Sequence, residues 1–575
     1  MARFPAKGYN ATRRRPYVQN VRRTRATIRW TSFNSGAASV LIRDAAREER
    51  IVECRSEEMT PEQTNLPYTY FKHTAALAGL EPATEYSYRV RLDGQVFEPE
   101  VELSFRTSGA SACSFLAIGD TGTGSREQSQ LAERIQKEQP GLVIHTGDIA
   151  YPTGRYETYE ERYFDFYHAL MRRVPFFPCP GNHDYYETRA YPYLSVHDLP
   201  SENVTQQDQG RYYSFDWGDV HFISLDSNES LSQAASGRGE MLRWLERDLA
   251  GTNKFWRIAF FHHPPYAFGP NSRDSEAARA RSLIVPILDR YGVPLVLNGH
   301  EHSYQRTRPI NRTVYITTGG GGAHLYPVHE SNLLAAGVSR HHYLRINIEG
   351  RRLSLQALDA NGVAFDETTI NPAPMLATMP VVNSASFDEQ ISEGALISVL
   401  GWHFGVETLE NAGKPLPEDR RSGVQVTVAG RELPLLMVSP TQVNAILPEG
   451  ITGSAELRIK TPGGEAAAPI EIGEIAPALF SIAFEAAGVP NSAETPSTPG
   501  STLTVFATGL SRFGGTPRLK LDAQIIPSRL LGTGFPGLAS IDFTLPDSLA
   551  SGMHSLRIEA GSRVSNSISI SVVNR

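Results

Sequence analysis

The stretch Leu142-Val-Ile-His-Thr-Gly-Asp-Ile-Ala-Tyr151 joins a short apolar run to a polar loop. The run 142–144 predicts a buried strand, so Asp148 lies on the loop that leaves this strand. A carboxylate can bind one metal ion through each of its two oxygens, and we interpret Asp148 as the bridge between two ions. Tyr151, three residues farther on, would place a phenolate oxygen on one of them.

Four other short stretches carry residues that complete such a site. Ions of charge two or three prefer carboxylate oxygens, amide carbonyls and imidazole nitrogens. Two ions roughly 3.5–4 Å apart can hold a hydroxide between them and neutralise a phosphoryl group during in-line attack. The further ligand candidates are Asp120 (in 119–122), Asn182 (in 181–184), His262 (in 262–266), and His300 and His302 (in 299–302). The last two share a face if their segment is extended, and reach different ions if it bends.

The predicted elements around these stretches alternate between strands and helices. We predict strands at 114–118, 141–146, 220–225, 256–261 and 293–297, and helices at 125–138, 239–249 and 275–291. This alternation is typical of a layered α/β domain, which we place at 112–371. Each polar stretch follows a strand, where α/β sheets build their sites. The four glycines of 319–322 indicate a close approach of backbone to a ligand or to the other loops.

Residues 17–108 are predicted to form a β-sandwich, because short alternating runs are separated by turns. In 25–30, for example, Ala26, Ile28 and Trp30 fall on one face. The stretch Leu80-Glu-Pro-Ala-Thr-Glu-Tyr86 resembles the tyrosine corner of fibronectin type III sandwiches. The preceding residues, 1–16, are basic, and we predict a solvated tail there; an arm for nucleic acid or an anionic surface is the alternative.

The residues after 371 are rich in strand patterns, Gly and Pro. We interpret 372–379, which contains Pro372-Ala-Pro-Met, as a linker. Beyond it the sequence repeats after about one hundred residues, since 447–459 parallels 545–558. This repeat predicts two tandem immunoglobulin-like modules, at 380–478 and 479–575. They resemble the paired modules appended to many secreted bacterial proteins, so we expect them to contact cell-surface material.

The composition of the whole chain excludes some classes of protein. A net charge of −7 over 575 residues argues against a general nucleic-acid binder, and we expect no specific nucleic-acid partner. The sequence has no apolar run near the roughly 18 residues that a membrane span needs. The scattered Cys54, Cys113 and Cys179 predict three free, buried thiols. No secretory signal is visible, and a chain whose signal had been removed would look the same; we expect a secreted, periplasmic or cell-surface protein.

In the five polar stretches the sequence resembles the calcineurin-like metallophosphoesterases and, more narrowly, the purple acid phosphatases. Asp120 matches the family's GDxG motif, and Asp148 and Tyr151 match GDxxY. The stretch 181–184 matches GNH[D/E], His262 matches the histidine before the family's x-Pro-x-Tyr, and 299–302 matches GHxH. The resemblance covers about 17–371. It implies a multidomain fold in which a fibronectin III-like sandwich precedes a layered α/β/β/α metallophosphoesterase domain, with the C-terminal modules outside the resemblance.

The resemblance also implies the cofactors and the reaction. A ferric ion would be held by Asp120, Tyr151, His302 and the shared Asp148. A divalent Fe, Zn or Mn ion would be held by Asn182, His262, His300 and the same Asp148. The implied reaction is hydrolysis of a small phosphate monoester by a metal-bound hydroxide.

Two residues beside the ligand Asn182 are candidates for catalysis. The resemblance implies that His183 faces the substrate phosphate, next to Asn182, and the acidic Asp184 could orient its imidazole. The sequence departs from the plant-type family at 267–271, which contains none of that group's additional substrate-facing histidines. His263, His324, His341 and His342 are the nearby candidates to replace them.

Two further interpretations of the chain remain open from the sequence. The same metal pair could serve a phosphodiesterase acting on nucleotides or lipids. Alternatively, the chain could be a cell-surface adhesion protein with a vestigial phosphatase domain. The complete ligand set argues against the second of these, because a decayed site loses ligands.

Overall fold

The computed structural model describes residues 14–44, 46, 48–96, 103–109, 113–237, 239–410, 423–511 and 513–574. The chain divides into two compact units, Met1–Asn371 and Pro372–Arg575. Within the described residues, no helix combines the length and apolar character required to cross a membrane. The three cysteines are free; Cys113 and Cys179 are buried as predicted, whereas Cys54 is half-buried.

The N-terminal part of the first unit forms two antiparallel sheets. One sheet has the order β1-β2-β6-β5, and the other has the order β4-β3-β7-β8 with β9 also paired to β7. The predicted inward face of β2 is confirmed, since Ala26, Ile28 and Trp30 are buried. The bounds are Tyr17–Gln19 (β1), Arg25–Ser32 (β2), Ala38–Arg43 (β3), Glu49–Glu53 (β4), Arg55–Met59 (β5), Pro61–Thr64 (α1), Tyr70–Ala78 (β6), Glu85–Leu92 (β7), Gln95–Val96 (β8) and Leu103–Arg106 (β9).

Two details of this region bear on the sequence predictions. The hydroxyl of Tyr86 accepts a hydrogen bond from the backbone N–H of Glu81 at 2.7 Å, which is the contact of a tyrosine corner. Residues 1–13 of the predicted solvated tail lie outside the described residues, and the prediction is wrong at residue 14, because Arg14 is buried. Its guanidinium pairs with the buried Glu160 and lies 4.5 Å from the ring centroid of Phe164. A buried cation needs such partners, and the basic composition alone could not reveal them.

The rest of the first unit alternates strands with helices. The strands are Cys113–Ile118 (β10), Leu142–His145 (β11), Phe176–Pro178 (β12), Tyr213–Trp217 (β13), Val220–Ser224 (β14), Trp256–Phe260 (β15), Leu295–Asn298 (β16), Tyr304–Thr307 (β17), Val314–Thr318 (β18), Leu334–Val338 (β19), Tyr343–Glu349 (β20), Arg352–Leu358 (β21) and Ala364–Ile370 (β22). The helices are Arg126–Ile135 (α2), Tyr156–Tyr159 (α3), Asp165–Met171 (α4), Asn182–Tyr185 (α5), Tyr191–Val196 (α6), Glu229–Ala235 (α7), Met241–Gly251 (α8), Ser275–Arg279 (α9) and Val285–Arg290 (α10). Single π-helical turns, Glu160–Phe164 and Ala280–Ile284, join α3 to α4 and α9 to α10.

These strands form two sheets that pack face to face between helices. The first has the order β12-β11-β10-β20-β21-β22, and the second has the order β13-β14-β15-β16-β18-β17-β19. Neighbouring residues of β12 point to opposite faces: the ring of Phe177 stacks on Phe215 of the second sheet at 3.9 Å, whereas Phe176 contacts Tyr163 on the helical side. Helices α7, α8 and α10 share a core with the outer face of the second sheet. The result is the expected α/β/β/α layering.

The topology brings the polar loops to one edge. Strands β10, β11 and β12 pair in parallel, and so do β15, β16 and β18. Parallel strands end at the same edge of a sheet, so the loops that follow them are neighbours. The two sheets also meet there: Nδ1 of His262 lies 2.9 Å from the carbonyl oxygen of Thr146.

The second unit contains two modules, each with one core between two sheets. In the first the sheets have the orders β23-β25-β30-β29-β26 and β24-β32-β31-β27-β28, and in the second β33-β34-β38-β37 and β36-β35-β39-β40 with β41 paired to β39. Buried side chains from both sheets form a common core in each module, which is consistent with β-sandwiches. The strands are Met375–Asn383 (β23), Ile391–Ser392 (β24), Leu396–Trp402 (β25), Leu409–Glu410 (β26), Gln425–Val428 (β27), Arg431–Glu432 (β28), Leu435–Val438 (β29), Gln442–Ile446 (β30), Gly453–Thr461 (β31), Gly464–Gly473 (β32), Ala478–Glu485 (β33), Thr502–Thr508 (β34), Arg518–Leu521 (β35), Gln524–Ile526 (β36), Ser528–Gly532 (β37), Ala539–Thr544 (β38), Gly552–Ala560 (β39), Arg563–Val564 (β40) and Ile568–Val572 (β41).

One boundary differs from the sequence prediction. The linker was predicted to extend to residue 379, but β23 begins at Met375 and pairs with β25, with Met375 opposite Trp402. Only the residues around Pro372 and Pro374 precede the strand. Proline is tolerated at the first residues of a strand, so it marks the start of β23 rather than a longer linker.

Candidate metal centre

Three site residues have left-handed backbones where their loops leave the strands. The φ angles of Asp120, Asp148 and His300 are 57°, 55° and 69°. Non-glycine residues adopt this conformation at a cost and keep it where surrounding contacts demand it, often at functional sites. Glycine is required where another loop packs against Asp148, since a Cβ on Gly181 would lie 2.1 Å from Oδ1 of Asp148. The predicted close approach at 319–322 is also observed, because a Cβ on Gly319 would lie 2.2 Å from the carbonyl oxygen of Glu301.

The first group of donor atoms surrounds the hydroxyl of Tyr151. This oxygen lies 3.2 Å from Oδ1 of Asp120, 2.9 Å from Oδ2 of Asp148 and 3.0 Å from Nε2 of His302. Atoms that bind one ion at about 2.1 Å lie about 3.0–3.4 Å from one another when the angles at the ion are near 90–110°. The spacing of this group therefore fits the coordination shell of a single ion.

The second group of donor atoms surrounds the side-chain oxygen of Asn182. This oxygen lies 3.0 Å from Nε2 of His262 and 3.1 Å from Nδ1 of His300, and these two nitrogens are 3.2 Å apart. The spacing again fits ligands of one ion. The bent loop at 299–302 thus sends His300 to the second group and His302 to the first.

Asp148 belongs to both groups through a single oxygen, Oδ2, whereas the sequence analysis expected one oxygen for each ion. Its Oδ2 lies 2.9 Å from the Tyr151 hydroxyl and 3.3 Å from Nε2 of His262, while Oδ1 accepts a hydrogen bond from the backbone N–H of His183 at 2.9 Å. The carboxylate is buried, as are the side chains of its neighbours Asp120 and His262. These three residues also bring ligand atoms within 4.8 Å of one another.

Each of the three candidate histidine ligands has one ring nitrogen that contacts an oxygen outside the two donor groups. This contact fixes the ring proton on that outer nitrogen and leaves the lone pair on the inner nitrogen. Nδ1 of His262 faces a carbonyl oxygen, and Nε2 of His300 lies 2.8 Å from Oδ2 of Asp274, so these outer nitrogens carry the proton of each neutral ring. Nδ1 of His302 likewise faces the carbonyl oxygen of His324 at 2.7 Å. The inner nitrogens are therefore acceptors. Those of His262 and His300 face each other and the oxygen of Asn182, and that of His302 faces the Tyr151 hydroxyl. Buried acceptors that converge in this way need cations between them, so the donor set fits two metal ions.

Burial and the charges of the site oppose ionisation of the Tyr151 phenol. Burial, followed by the charges of Asp148 and Asp120, raises the pKa of Tyr151 well above its ordinary value. Burial lowers the pKa of His262, but the carboxylate of Asp148 outweighs this effect and raises the pKa to about 9. Cations in the site would reverse both tendencies, because they favour phenolate and neutral imidazole.

The loop after β15 supplies contacts that the sequence analysis missed. Besides the contact of Asp274 with Nε2 of His300, the amide of Asn271 donates to the backbone carbonyl of His300 at 3.2 Å. Carboxylates that contact the outer nitrogen of a metal-binding histidine fix its tautomer and orientation. The sequence around Asp274 lacks a recognisable motif, and an N-cap before α9 is its only local signal.

The structure separates the roles expected for His183 and Asp184. Nδ1 of His183 lies 2.6 Å from the carbonyl oxygen of Pro152, and its Nε2 is 4.0 Å from Oδ2 of Asp148. The carboxylate of Asp184 instead accepts from the hydroxyl of Tyr159 at 2.6 Å and from the backbone N–H of Gly181 at 2.9 Å. Burial, and next the charge of Asp148, raises the pKa of Asp184 to about 6. Asp184 therefore fixes the loop at the start of α5, and Pro152, rather than Asp184, orients the His183 ring.

The other candidate histidines differ in their positions. His263 is buried beside the second group: its ring centroid is 4.5 Å from that of His300, and its Nδ1 is 2.8 Å from the hydroxyl of Ser227. His342 is buried, with Nε2 3.1 Å from the hydroxyl of Thr318, which indicates a structural role. His341 lies over the glycine loop, with Nδ1 3.3 Å from the carbonyl oxygen of Gly320. The exposed His324 contributes the backbone carbonyl described above.

Comparisons with known proteins agree with this geometry. Residues 113–304 match the family model described as calcineurin-like phosphoesterase, and residues 14–107 match the model described as purple acid phosphatase, N-terminal domain. The resemblance predicted from the motifs is thereby confirmed. The N-terminal match begins at Arg14, in agreement with the burial of this residue.

Individual relatives extend these matches. The chain is 26% identical to purple acid phosphatase 15 of Arabidopsis thaliana over 44% of its own length and 53% of that protein. It is 29% identical to purple acid phosphatase 23 of the same plant, over 44% of this chain and 62% of that one. The chain therefore spans little more than half the length of these relatives. The structure of the purple acid phosphatase from yellow lupin (Lupinus luteus) seeds has a similar fold, with a TM-score of 0.55 at 18% identity over 62% of this chain and 74% of that chain.

Proposed function

We propose that this chain, whose residues 14–107 and 113–304 place it among the relatives of the purple acid phosphatases, is a metal-dependent hydrolase of phosphoric esters. The observation that carries the proposal is the position of Asp148. Its Oδ2 lies within 3.3 Å of donor atoms from both groups, so one carboxylate can serve two ions. A vestigial site of an adhesion protein would not keep a complete and converging donor set.

We propose two ions with different ligands. Asp120, Tyr151 and His302 would hold the first ion, Asn182, His262 and His300 would hold the second, and Asp148 would join both. We propose iron(III) for the first ion, because only a strong Lewis acid keeps a phenol ionised next to two carboxylates. For the second we propose divalent Fe, Zn or Mn, since amide and imidazole ligands suit each of these ions.

The chain's own residues would then bind and orient a phosphate monoester. The bound ions would supply Lewis-acid stabilisation of phosphoryl charge and an activated water. His183 is positioned to assist, because the carbonyl of Pro152 accepts a hydrogen bond from Nδ1–H, and Nε2 is left on the side of Asp148. When protonated, Nε2 can donate to a phosphoryl oxygen or to the leaving group. The His183 side chain is 26% exposed, so a substrate can reach it.

The proposal extends to the domains on either side of the metal centre in the sequence. The tyrosine-corner contact of Tyr86 supports a fibronectin III-like sandwich at 17–108. The paired sheets after Pro372 support two immunoglobulin-like modules. A secreted, periplasmic or cell-surface location is proposed from the sequence alone.

The test of the proposed function is hydrolysis of two model substrates by the full chain after loading with iron and zinc. We expect turnover of phenyl phosphate that disappears after chelation and returns with the metals. Faster turnover of bis(phenyl) phosphate would instead identify a phosphodiesterase. A well-folded, metal-loaded protein that hydrolyses neither ester would contradict the proposal.

A further inference from the structure

A row of aromatic rings borders the candidate metal centre. It begins with Tyr186 and continues through His183, Tyr151 and His302 to Tyr326. Successive ring centroids are 5.0, 4.3, 6.0 and 4.2 Å apart. The interior rings belong to the site itself, whereas Tyr186 and Tyr326 close the row at its two ends. We call these five residues the aromatic row.

The two ends of the row differ in exposure. Tyr326 lies flat on His302, with an angle of 13° between the rings, and this stacking covers one of its faces. Tyr186 contacts His183 nearly edge to face, at 72°, and is 62% exposed. A tyrosine ring gains free energy from burial, so a ring that is held in solvent beside a site is available to a ligand.

Two contacts fix Tyr186 relative to the site. The side-chain nitrogen of Asn182 donates to the Tyr186 hydroxyl at 3.3 Å, while the oxygen of the same amide faces His262 and His300. One amide group therefore connects the exposed phenol to the second donor group. The contact with His183 fixes the other edge of the ring. Because both contacts are made by the protein, the ring is held in place before any ligand binds.

We propose that Tyr186 forms a stacking platform for the organic part of the substrate and gives the site a preference for phosphate esters of planar aromatic groups. This inference rests on the proposed function, since the phosphate itself would bind at the adjacent donor groups and His183. The ester oxygen leads away from the phosphate, and a flat ring attached to it can lie against the exposed face of Tyr186. Offset or edge-to-face contact with such a ring is favourable, whereas a small alkyl alcohol gains little from it.

The test compares phenyl phosphate, adenosine 5′-monophosphate and glycerol 1-phosphate as substrates of the metal-loaded full chain. For Tyr186→Ala, we expect the ratio of kcat/KM for phenyl phosphate over glycerol phosphate to fall about 3- to 10-fold, in line with the strength of aromatic pairs. Tyr186→Phe keeps the ring and should keep the ratio. The matched control is Tyr191→Ala: Tyr191 is 39% exposed in the same segment, but its ring contact is with Tyr156. A parallel fall with the adenosine ester would extend the platform to nucleobases, and an unchanged adenosine ratio would restrict it to rings attached directly to the ester oxygen.

A binding measurement separates this proposal from the proposed function. Calorimetry should show that wild type prefers phenylphosphonate to methylphosphonate, and that Tyr186→Ala loses this preference while its metal content is unchanged. If Tyr186→Ala loses affinity equally for phenylphosphonate and methylphosphonate, and Tyr186→Phe restores both affinities, then Tyr186 acts only through its ring contact with His183. This result would overturn the platform. An unchanged ratio in Tyr186→Ala, in a protein that hydrolyses phosphate esters, would overturn the platform and leave the proposed function standing. Failure of the wild type to hydrolyse any ester or bind either phosphonate would overturn both.

Discussion

Oδ2 of Asp274 lies 2.8 Å from Nε2 of His300, on the side of the imidazole that faces away from Asn182. Since a carboxylate accepts hydrogen bonds, this contact places the proton of the ring on Nε2 and leaves Nδ1 free to bind a cation. We therefore predict that Asp274→Ala weakens binding of the second metal ion about 10- to 100-fold, the usual effect of losing such a partner.

Metal titration followed by mass spectrometry under native conditions checks this prediction. Glu276→Ala, which changes a partly exposed carboxylate two residues away, is the control and should bind both ions as the wild type does. Asp274→Asn should fall between the wild type and Asp274→Ala, because an amide oxygen is a weaker acceptor. Equal affinity for both ions in wild type and Asp274→Ala would show that Asp274 does not position His300.

His183 is predicted to act on the substrate without holding a metal. In His183→Ala we expect both ions to remain bound and kcat to fall about 10²- to 10⁴-fold, the range typical of general acid–base assistance. The rate should be measured together with metal content on the same preparation. Loss of an ion from this variant would make His183 a ligand, and an unchanged rate would remove it from the reaction.

The phenol of Tyr151 gives an optical prediction. Bound to iron(III) it would be a phenolate, and charge transfer from its oxygen to the iron absorbs visible light. The iron-loaded, oxidised protein should be pink to purple, and Tyr151→Phe should be colourless while it still binds metal through the remaining ligands. An active, iron-loaded wild type without a visible band would show that Tyr151 only packs against the loop.

A histidine far from the metal centre makes stability depend on pH. Nδ1 of His221 lies 2.7 Å from Oδ1 of Asp216, and Nε2 lies 2.8 Å from Oδ2 of Asp248. Burial lowers the pKa of His221, but these hydrogen bonds and charges outweigh it and raise the pKa to about 9. An unfolded histidine titrates near 6.5, so the stabilisation is complete below about 6.5 and is lost as the pH rises through about 9.

His221→Gln should therefore reduce the free energy of unfolding of the first unit by about 1–3 kcal/mol at pH 6, with the difference shrinking as the pH rises from about 6.5 to about 9. Calorimetry of both proteins at pH 6, 8 and 10 tests this. A difference that grows with pH would have the wrong sign and would contradict a charged, doubly paired His221.

Local sequence patterns were sufficient to select candidate ligands that the fold brings together, but not the residues that contact them. Asp120, Asp148 and His262 follow short apolar strands, and such strands can be recognised from the sequence because their buried faces must be apolar. Asp274 was missed because it lies 26 residues before His300 in the chain, and only the fold of the loop before α9 brings them together. The exposed position of Tyr186 likewise depends on tertiary contacts.

The contacts of Asp184 also could not be predicted from the sequence. Its neighbour in the sequence is His183, but its carboxylate points into the protein toward Tyr159 and the start of α5. Adjacent residues at a helix start point in different directions, so sequence proximity alone does not establish a contact. Burial of Arg14 against Glu160 could not be predicted for a related reason, since the two residues are 146 positions apart.

The central claim is that Asp148 joins two metal ions, and metal stoichiometry tests it most directly. The full chain, loaded with iron and zinc and then freed of unbound metal, should contain two ions per chain by inductively coupled plasma mass spectrometry. Asp148→Ala should retain at most one, whereas the control Asp248→Asn, outside the site, should retain two. A wild type that holds one ion or none at saturation, or an Asp148→Ala variant that still holds two, would contradict the account.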